Sequence, residues 1–234
     1  MSVKIHTEIE ALRPLLRRLA AGDVPAEAVD VYRGRNRVVK YFCPELGKEV
    51  NIKCFRVPHI INQIVYGTFR DSKARRAYFH AERLRRAGFH TPEPLGFAEV
   101  SQGLLFRRAY FVSEQLQGYN DVREIHGKGI CHDVLDAVAA VMAELHRKEV
   151  WMKDFSQGNV LYRREPDGSF DIQIVDINRM RFDENRRKFL MRNFCTITDY
   201  PDDLEYLAGA YAKAIGIPEA IVLPLARAAY RMRH

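Results

Sequence analysis

Hydrophobic positions change their spacing several times along the chain, and the changes divide it into elements. Over residues 7 to 20, Ile9, Leu12, Leu15, Leu16 and Leu19 fall near helical spacing, and AGDVP ends the run. Pro14 inside this pattern calls for a late start or a kink, because proline cannot donate to the preceding turn. The runs AVDVYRG, RVVKYF and EVNIKCFRV read instead as strands, separated by the hairpin turns GRN and CPELGK. Three sequential strands with tight turns predict an antiparallel meander. DSKARRAYFHAERLRRAG then reads as a helix with an Asp or Ser cap and a glycine at its end. FHTPEPLGFAEV and GLLFRRAYFVSEQL supply two more strands, so a five-stranded antiparallel sheet with one helix against it is expected.

The second half carries a different pattern. In CHDVLDAVAAVMAELHRKEV, Val134, Val138, Val141, Met142 and Leu145 form an apolar helical stripe, with Asp133 in the first turn. A polar loop, the strand NVLYRR, the turn PDG and the strand FDIQIVDI follow. From about Asp183 the chain reads as mostly helical, in DDLEYLAGAYAKAIG and PEAIVLPLARAAYRMR. The class is α+β, with an N-terminal lobe over 1–116 and a mainly helical C-terminal lobe over 117–234.

Composition narrows the function classes without choosing one. The net charge of +7 suits an anionic partner: nucleotide, nucleic acid, phosphorylated glycolipid or the inner membrane surface. No apolar run approaches the roughly 20 residues that span a bilayer. The N-terminal MSVKIHTEIEALRPLL has acidic residues where a secretory signal would be apolar, so a cytoplasmic protein is expected. Cys43, Cys54, Cys131 and Cys195 are too scattered for a zinc site and read as reduced, buried thiols.

Candidate chemistry concentrates in MKDFSQGNVLY, residues 152–162. Asp and Asn compete with regular backbone pairing, so the segment reads as a loop feeding a strand. Asp154 precedes Asn159 with the spacing D-x-x-x-x-N, and Asp176 ends the later apolar run IQIV. A phosphoryl-transfer site needs this set. A carboxylate and an amide oxygen, Asp176 and Asn159, are the hard ligands that Mg²⁺ prefers, and Asp154 would orient an acceptor hydroxyl and take its proton. The order of elements, sheet with helix, long helix, loop and hairpin, then helices, is also that of a bilobal protein-kinase-like fold.

ELHRKEVWMKDFSQGNVLY and IVDINRMRF, with the upstream VNIKCFRVP, FRDSKARRAYFHAERLRRAGFHTPEPLGF and YFVSEQL, resemble the lipopolysaccharide kinase (Kdo/WaaP) family over about residues 30 to 185. The resemblance implies ATP-dependent phosphorylation of a Kdo or heptose hydroxyl of the lipopolysaccharide inner core. It also implies work at the cytoplasmic membrane face; the positive charge suits peripheral contact with the anionic surface there, and a monomer is expected. Asp154 matches the catalytic Asp, Asn159 and Asp176 the Mg²⁺ pair, and Lys53 the strand lysine that pairs the ATP phosphates. Lys40 is a rival for that task, and Glu82 is either the helix acid that would hold the lysine or a solvated partner of Arg86 at i,i+4. Gly34, in YRGRNR, stands in the phosphate-covering loop, where Arg35 or Arg37 would add contacts. Glu114 to Leu116 would form the hinge that meets adenine.

Departures from the wider kinase pattern keep two rival readings open. Met152-Lys153 replaces His-Arg, Asp176-Ile177-Asn178 replaces Asp-Phe-Gly, one glycine replaces three, and Ser156 stands where protein kinases carry Lys. A RIO-like atypical serine/threonine kinase shares the loop pattern, and a catalytically inactive nucleotide-binding adaptor would tolerate the losses. No stacking or groove-reading motif points to nucleic acid.

Overall fold

The computed structural model describes residues 1–56, 71–102, 105–125, 132–182 and 193–233. The chain divides into two compact units, one made of Met1–Ala87 with Pro92–Gln117 and the other of Gly88–Thr91 with Gly118–His234.

The first unit is built on one antiparallel sheet. Its strands are β1 (Ser2–His6), β2 (Val29–Arg33), β3 (Arg37–Cys43), β4 (Lys48–Phe55), β5 (Pro94–Gln102) and β6 (Leu105–Glu114), in the order β1-β5-β6-β4-β3-β2. The sheet therefore has six strands, not the five expected. The added strand is the N-terminal edge, pairing Ser2–His6 with Phe97–Ser101. Its own side chains are exposed or half-buried. Pairing with a distant strand, not a local apolar pattern, makes it a strand. Gly96 permits the approach: a Cβ there would stand 2.8 Å from the His6 carbonyl oxygen.

Strand alternation sends side chains to two separately packed faces. On one face, Val39, Val50, Ile52, Val100 and Val112 bury against Leu12, Leu15, Leu16 and Leu19. Those leucines belong to helix α1 (Arg13–Ala21) and the 3₁₀ turn before it. Pro14 falls in the first turn of α1, where its missing N–H costs nothing, so the helix starts late and is not kinked. On the other face, Phe55, Phe97 and Ala109 pack on Ala74, Ala77 and Tyr78 of α2 (Lys73–Arg86). The Ser72 side chain caps α2 by accepting the Arg75 N–H at 3.1 Å.

The second unit centres on α3 (His132–Arg147), α4 (Pro201–Ile215) and α5 (Glu219–Arg233). Beside them lie a three-stranded sheet of β7 (Asn120–Asp121), β9 (Val160–Arg164) and β10 (Phe170–Ile174), and a ladder of β8 (Val150–Trp151) with β11 (Arg181–Phe182). The β9–β10 hairpin turns at Gly168, as the PDG signal predicts. Residues 88–91, read from sequence as the helix-ending Gly88 and the start of a strand at Phe89, belong to this unit. His90 O accepts from Ile174 N at 3.0 Å, and the Thr91 hydroxyl donates to Ile174 O at 2.7 Å. Cys43 and Cys195 are buried and Cys54 is half-buried, all as free thiols. Cys131 lies outside the described residues. Among those described, no helix is long and apolar enough to cross a membrane.

Candidate active site

Local burial decides how the loop after β8 presents its polar groups. Met152 and Phe155 are buried, and the Phe155 carbonyl accepts from the Thr196 hydroxyl at 2.5 Å. Between these two anchors Asp154 is left half-buried. Three hydrogen bonds then fold residues 154–159 into one closed feature. Asn159 N donates to Ser156 O at 2.8 Å, Asn159 Nδ2 donates to Asp154 O at 2.9 Å, and Val175 N donates to Asn159 O at 2.9 Å. The last bond ties the loop to the residue before Asp176.

Asp176 has φ 54° and ψ 45°, the left-handed region that non-glycine residues occupy at a cost of order 1 kcal/mol. Its Oδ1 accepts from Asn178 Nδ2 at 2.5 Å, so the carboxylate is held by its own turn. The turn Ile177–Arg179 then leads into β11, whose Arg181 is paired with Trp151 of β8. That ladder brings Arg179 back to the loop, where Nη1 donates to Asp154 Oδ2 at 2.8 Å. The structure thus brings Asp154, Asn159 and Asp176 together through backbone and side-chain bonds. Arg179, to which the sequence reading gave no role, completes the circuit. A cation three residues after Asp176 was the available signal.

A second residue without an assigned role lies beneath the loop. The His146 ring stacks on Trp151 with centroids 4.3 Å apart, bonds the Tyr211 hydroxyl through Nδ1 at 2.9 Å, and accepts from Asn193 Nδ2 at Nε2 at 3.2 Å. Burial pushes its pKa down to about 3, so the ring is neutral. Met152 stands where the wider pattern has His, and it is buried at 2% exposure.

The remaining candidates lie in the first unit. Lys53 is half-buried on β4, between Val38 and Phe111 on its neighbours, with Nζ 5.6 Å from the Phe55 ring centroid. Lys40, on the same face, forms an ion pair with Glu49 at 3.3 Å. Glu82 accepts from Arg86 Nη2 at 3.0 Å and from the Tyr78 hydroxyl at 3.4 Å. Among the described residues these are its partners, so the structure brings Glu82 to Arg86 and not to Lys53. The i,i+4 spacing on a helix surface favours that pair.

Gly34 sits at the β2–β3 tip, its N–H donating to Asn36 O at 3.1 Å. Arg37 Nε is committed to Asp30 at 2.6 Å, whereas Arg35 is exposed. Glu114 ends β6 with its N–H on Glu93 O at 2.9 Å, and the Leu116 carbonyl accepts from Gln115 Nε2 at 2.8 Å.

The model of the lipopolysaccharide kinase (Kdo/WaaP) family matches residues 55–208. Among solved structures, WaaP in complex with acyl carrier protein superposes with a TM-score of 0.67 at 15% identity, covering 99% of this chain and 100% of that one. The Rio2 kinase from Chaetomium thermophilum gives 0.54 at 17% identity, over 94% of this chain and 76% of that one. Its ADP/Mg²⁺-phosphoaspartate complex gives 0.51 at 16%, over 94% and 75%. These likenesses show a protein-kinase-like fold. No curated protein matches the sequence.

Proposed function

The chain belongs to the lipopolysaccharide kinase (Kdo/WaaP) family, and we propose that its 154–179 circuit is where phosphate passes to the acceptor sugar. The protein is a phosphotransferase acting on a sugar hydroxyl of the lipopolysaccharide core, by ATP-dependent phosphoryl transfer. The observation that carries the site assignment is the bond from Asn159 Nδ2 to the Asp154 carbonyl at 2.9 Å. It joins the two residues on a single turn through the Asp154 backbone carbonyl, so the bond itself uses no side-chain oxygen of either.

Asp154 accepts the acceptor hydroxyl's proton as that oxygen bonds the γ-phosphorus and the bond to ADP breaks. Arg179 fixes the rotation of the carboxylate through Oδ2. With Asn159 Nδ2 engaged, the amide oxygen is the end left for a cation, and Asp176 supplies a carboxylate held in one orientation. Among the described residues no cluster of three or more His, Cys, Asp or Glu forms a ready metal cage. Two protein oxygens are what Mg²⁺ uses when triphosphate completes its shell, so the donor set fits. When bound there, Mg²⁺ would neutralise charge building on the phosphate oxygens. Lys53 is our choice for the ATP-phosphate lysine, since it matches the strand lysine of the family pattern and sits on β4, an interior strand of the sheet.

The acceptor is a glycolipid, so the enzyme must meet a membrane surface. A net charge of +7 supports electrostatic attachment to an anionic leaflet, and we place it at the cytoplasmic face. The test is transfer from ATP to purified lipopolysaccharide precursors. We expect Asp154→Ala to lower turnover about a thousandfold with ATP binding retained, a loss within the range of general-base catalysis. Asp176→Ala should also lose Mg²⁺-dependent nucleotide binding. Parental turnover in Asp154→Ala would refute the assignment of the base.

A further inference from the structure

The site assignment leaves the glycine of Ser156-Gln-Gly-Asn159 without a role. Gly158 has no positive φ to explain it. What lies where its side chain would be is a guanidinium: a Cβ on Gly158 would stand 2.4 Å from Arg123 Nη2. Any other residue at 158 would require the Arg123 guanidinium, the far end of a flexible side chain, to shift.

Arg123 is mounted for that position. β7 pairs Asn120 with Tyr162 and Asp121 with Leu161 of β9, the strand that leaves the loop. Asp121 Oδ1 accepts the Arg123 N–H at 2.9 Å and so fixes the backbone that carries the side chain. The guanidinium itself is not spent. Among the described residues its one acidic neighbour is Asp121, at 3.7 Å and beyond hydrogen-bond range, and the side chain is 66% exposed. Other arginines of this unit are more closely paired, Arg163 with Glu165 at 2.8 Å and Arg179 with Asp154 at 2.8 Å. An acceptor entering toward Asp154 meets a carboxylate and a triphosphate, both repelling anions. A planar cation at the same loop offsets that repulsion and offers two N–H donors in the geometry that carboxylates and phosphates accept.

We infer that Arg123, seated against Gly158, is a specificity-determining residue that binds an anionic group on the acceptor sugar. The inference rests on Asp154 as the base. The anion is a carboxylate or a phosphate that the acceptor already bears, and two assay arms separate these sources.

The experiment measures initial rates for the parent, Arg123→Ala, Arg123→Lys and Gly158→Ala, with Asp154→Ala as control. Acceptors are one bearing a sugar carboxylate, its carboxyl-reduced form, and a phosphorylated and a dephosphorylated acceptor of the same skeleton. We expect Arg123→Ala to raise the KM of one anionic acceptor tenfold or more, with a smaller change in kcat and in the KM for ATP. Arg123→Lys should recover part of the loss, and Gly158→Ala should reproduce much of it. On the matching neutral acceptor the parent should lose a similar factor, and the effect of Arg123→Ala should shrink severalfold. An unchanged KM in Arg123→Ala, or equal losses on charged and neutral acceptors, overturns the inference alone. Parental turnover in Asp154→Ala overturns the site assignment and the inference with it.

Discussion

The two regions that carry candidate site residues are assembled by different means. Around Asp154 the groups come from one segment, residues 154–179, and are joined by short bonds: Asn159 to Asp154, Val175 to Asn159, and Arg179 to Asp154. In the first unit, Gly34, Lys53, Glu82, Glu114 and Leu116 come from a hairpin tip, a strand, a helix, a strand end and the residues just beyond it. Each has local partners of its own. Glu82 answers to Arg86 and Tyr78, and Lys40 answers to Glu49. A loop closed by its own hydrogen bonds needs little from the rest of the fold. A set drawn from a sheet and a helix depends on register, which long-range pairing decides.

The contrast can be broken experimentally, starting at Arg179. If the circuit works as a unit, Arg179→Ala should lower kcat about a hundredfold (about 2.7 kcal/mol) with little change in the KM for ATP, and Arg179→Lys should restore part of it. In an Asp154→Ala background the same substitution should cost nothing more, because Arg179 acts through that carboxylate. A full additional loss there would show a separate role for the arginine.

Acid should loosen the region beneath the loop. Burial holds the native His146 pKa down at about 3, against 6.5 for a free imidazole. Between these values the unfolded chain binds a proton that the folded one refuses. The stability His146 permits is therefore complete above pH 6.5 and is lost as pH falls toward 3. At pH 5 the loss is about 2 kcal/mol, at roughly 1.4 kcal/mol per pH unit. Trp151, the one tryptophan of the chain, stacks on this ring and reports the transition by fluorescence. A His146→Gln variant should flatten the dependence over this range.

The smallest effects should come from the first unit, and they discriminate among its residues. Lys53→Ala should raise the KM for ATP about tenfold, the size of one lost charge-assisted contact. Lys40→Ala should change it less than threefold, because an exposed pair such as Lys40–Glu49 contributes about 0–1 kcal/mol. Equal effects at both lysines would remove the preference for Lys53. Glu82→Gln should change ATP KM less than twofold, since its partner is the exposed Arg86. A tenfold effect would mean that Glu82 leaves Arg86 during turnover.

Legibility in the sequence followed the range of the interactions. The β9–β10 hairpin reads directly from its turn, and local preferences narrowed the α2 cap to Asp or Ser and Pro14 to a late start or a kink, of which the structure has Ser72 and the late start. The D-x-x-x-x-N spacing is local too, so the loop that brings Asn159 to Asp154 was visible before any coordinates. The β1 edge strand was not. Its residues lack a strong strand pattern, and its pairing partner lies almost a whole lobe away in sequence. His146 reads as one polar residue in an amphipathic helix until Trp151, Tyr211 and Asn193 close around it.

By itself the sequence determined the α+β order and the turn that joins Asn159 to Asp154, and it carries the proposed role of that turn with Asp176. These rest on backbone preferences and spacings that act within a few residues. Tertiary structure alone decided that Arg179 holds Asp154 and that Arg123 lies against Gly158. Each of those pairings depends on where two side chains meet in space, and a linear pattern of polar residues does not contain that distance.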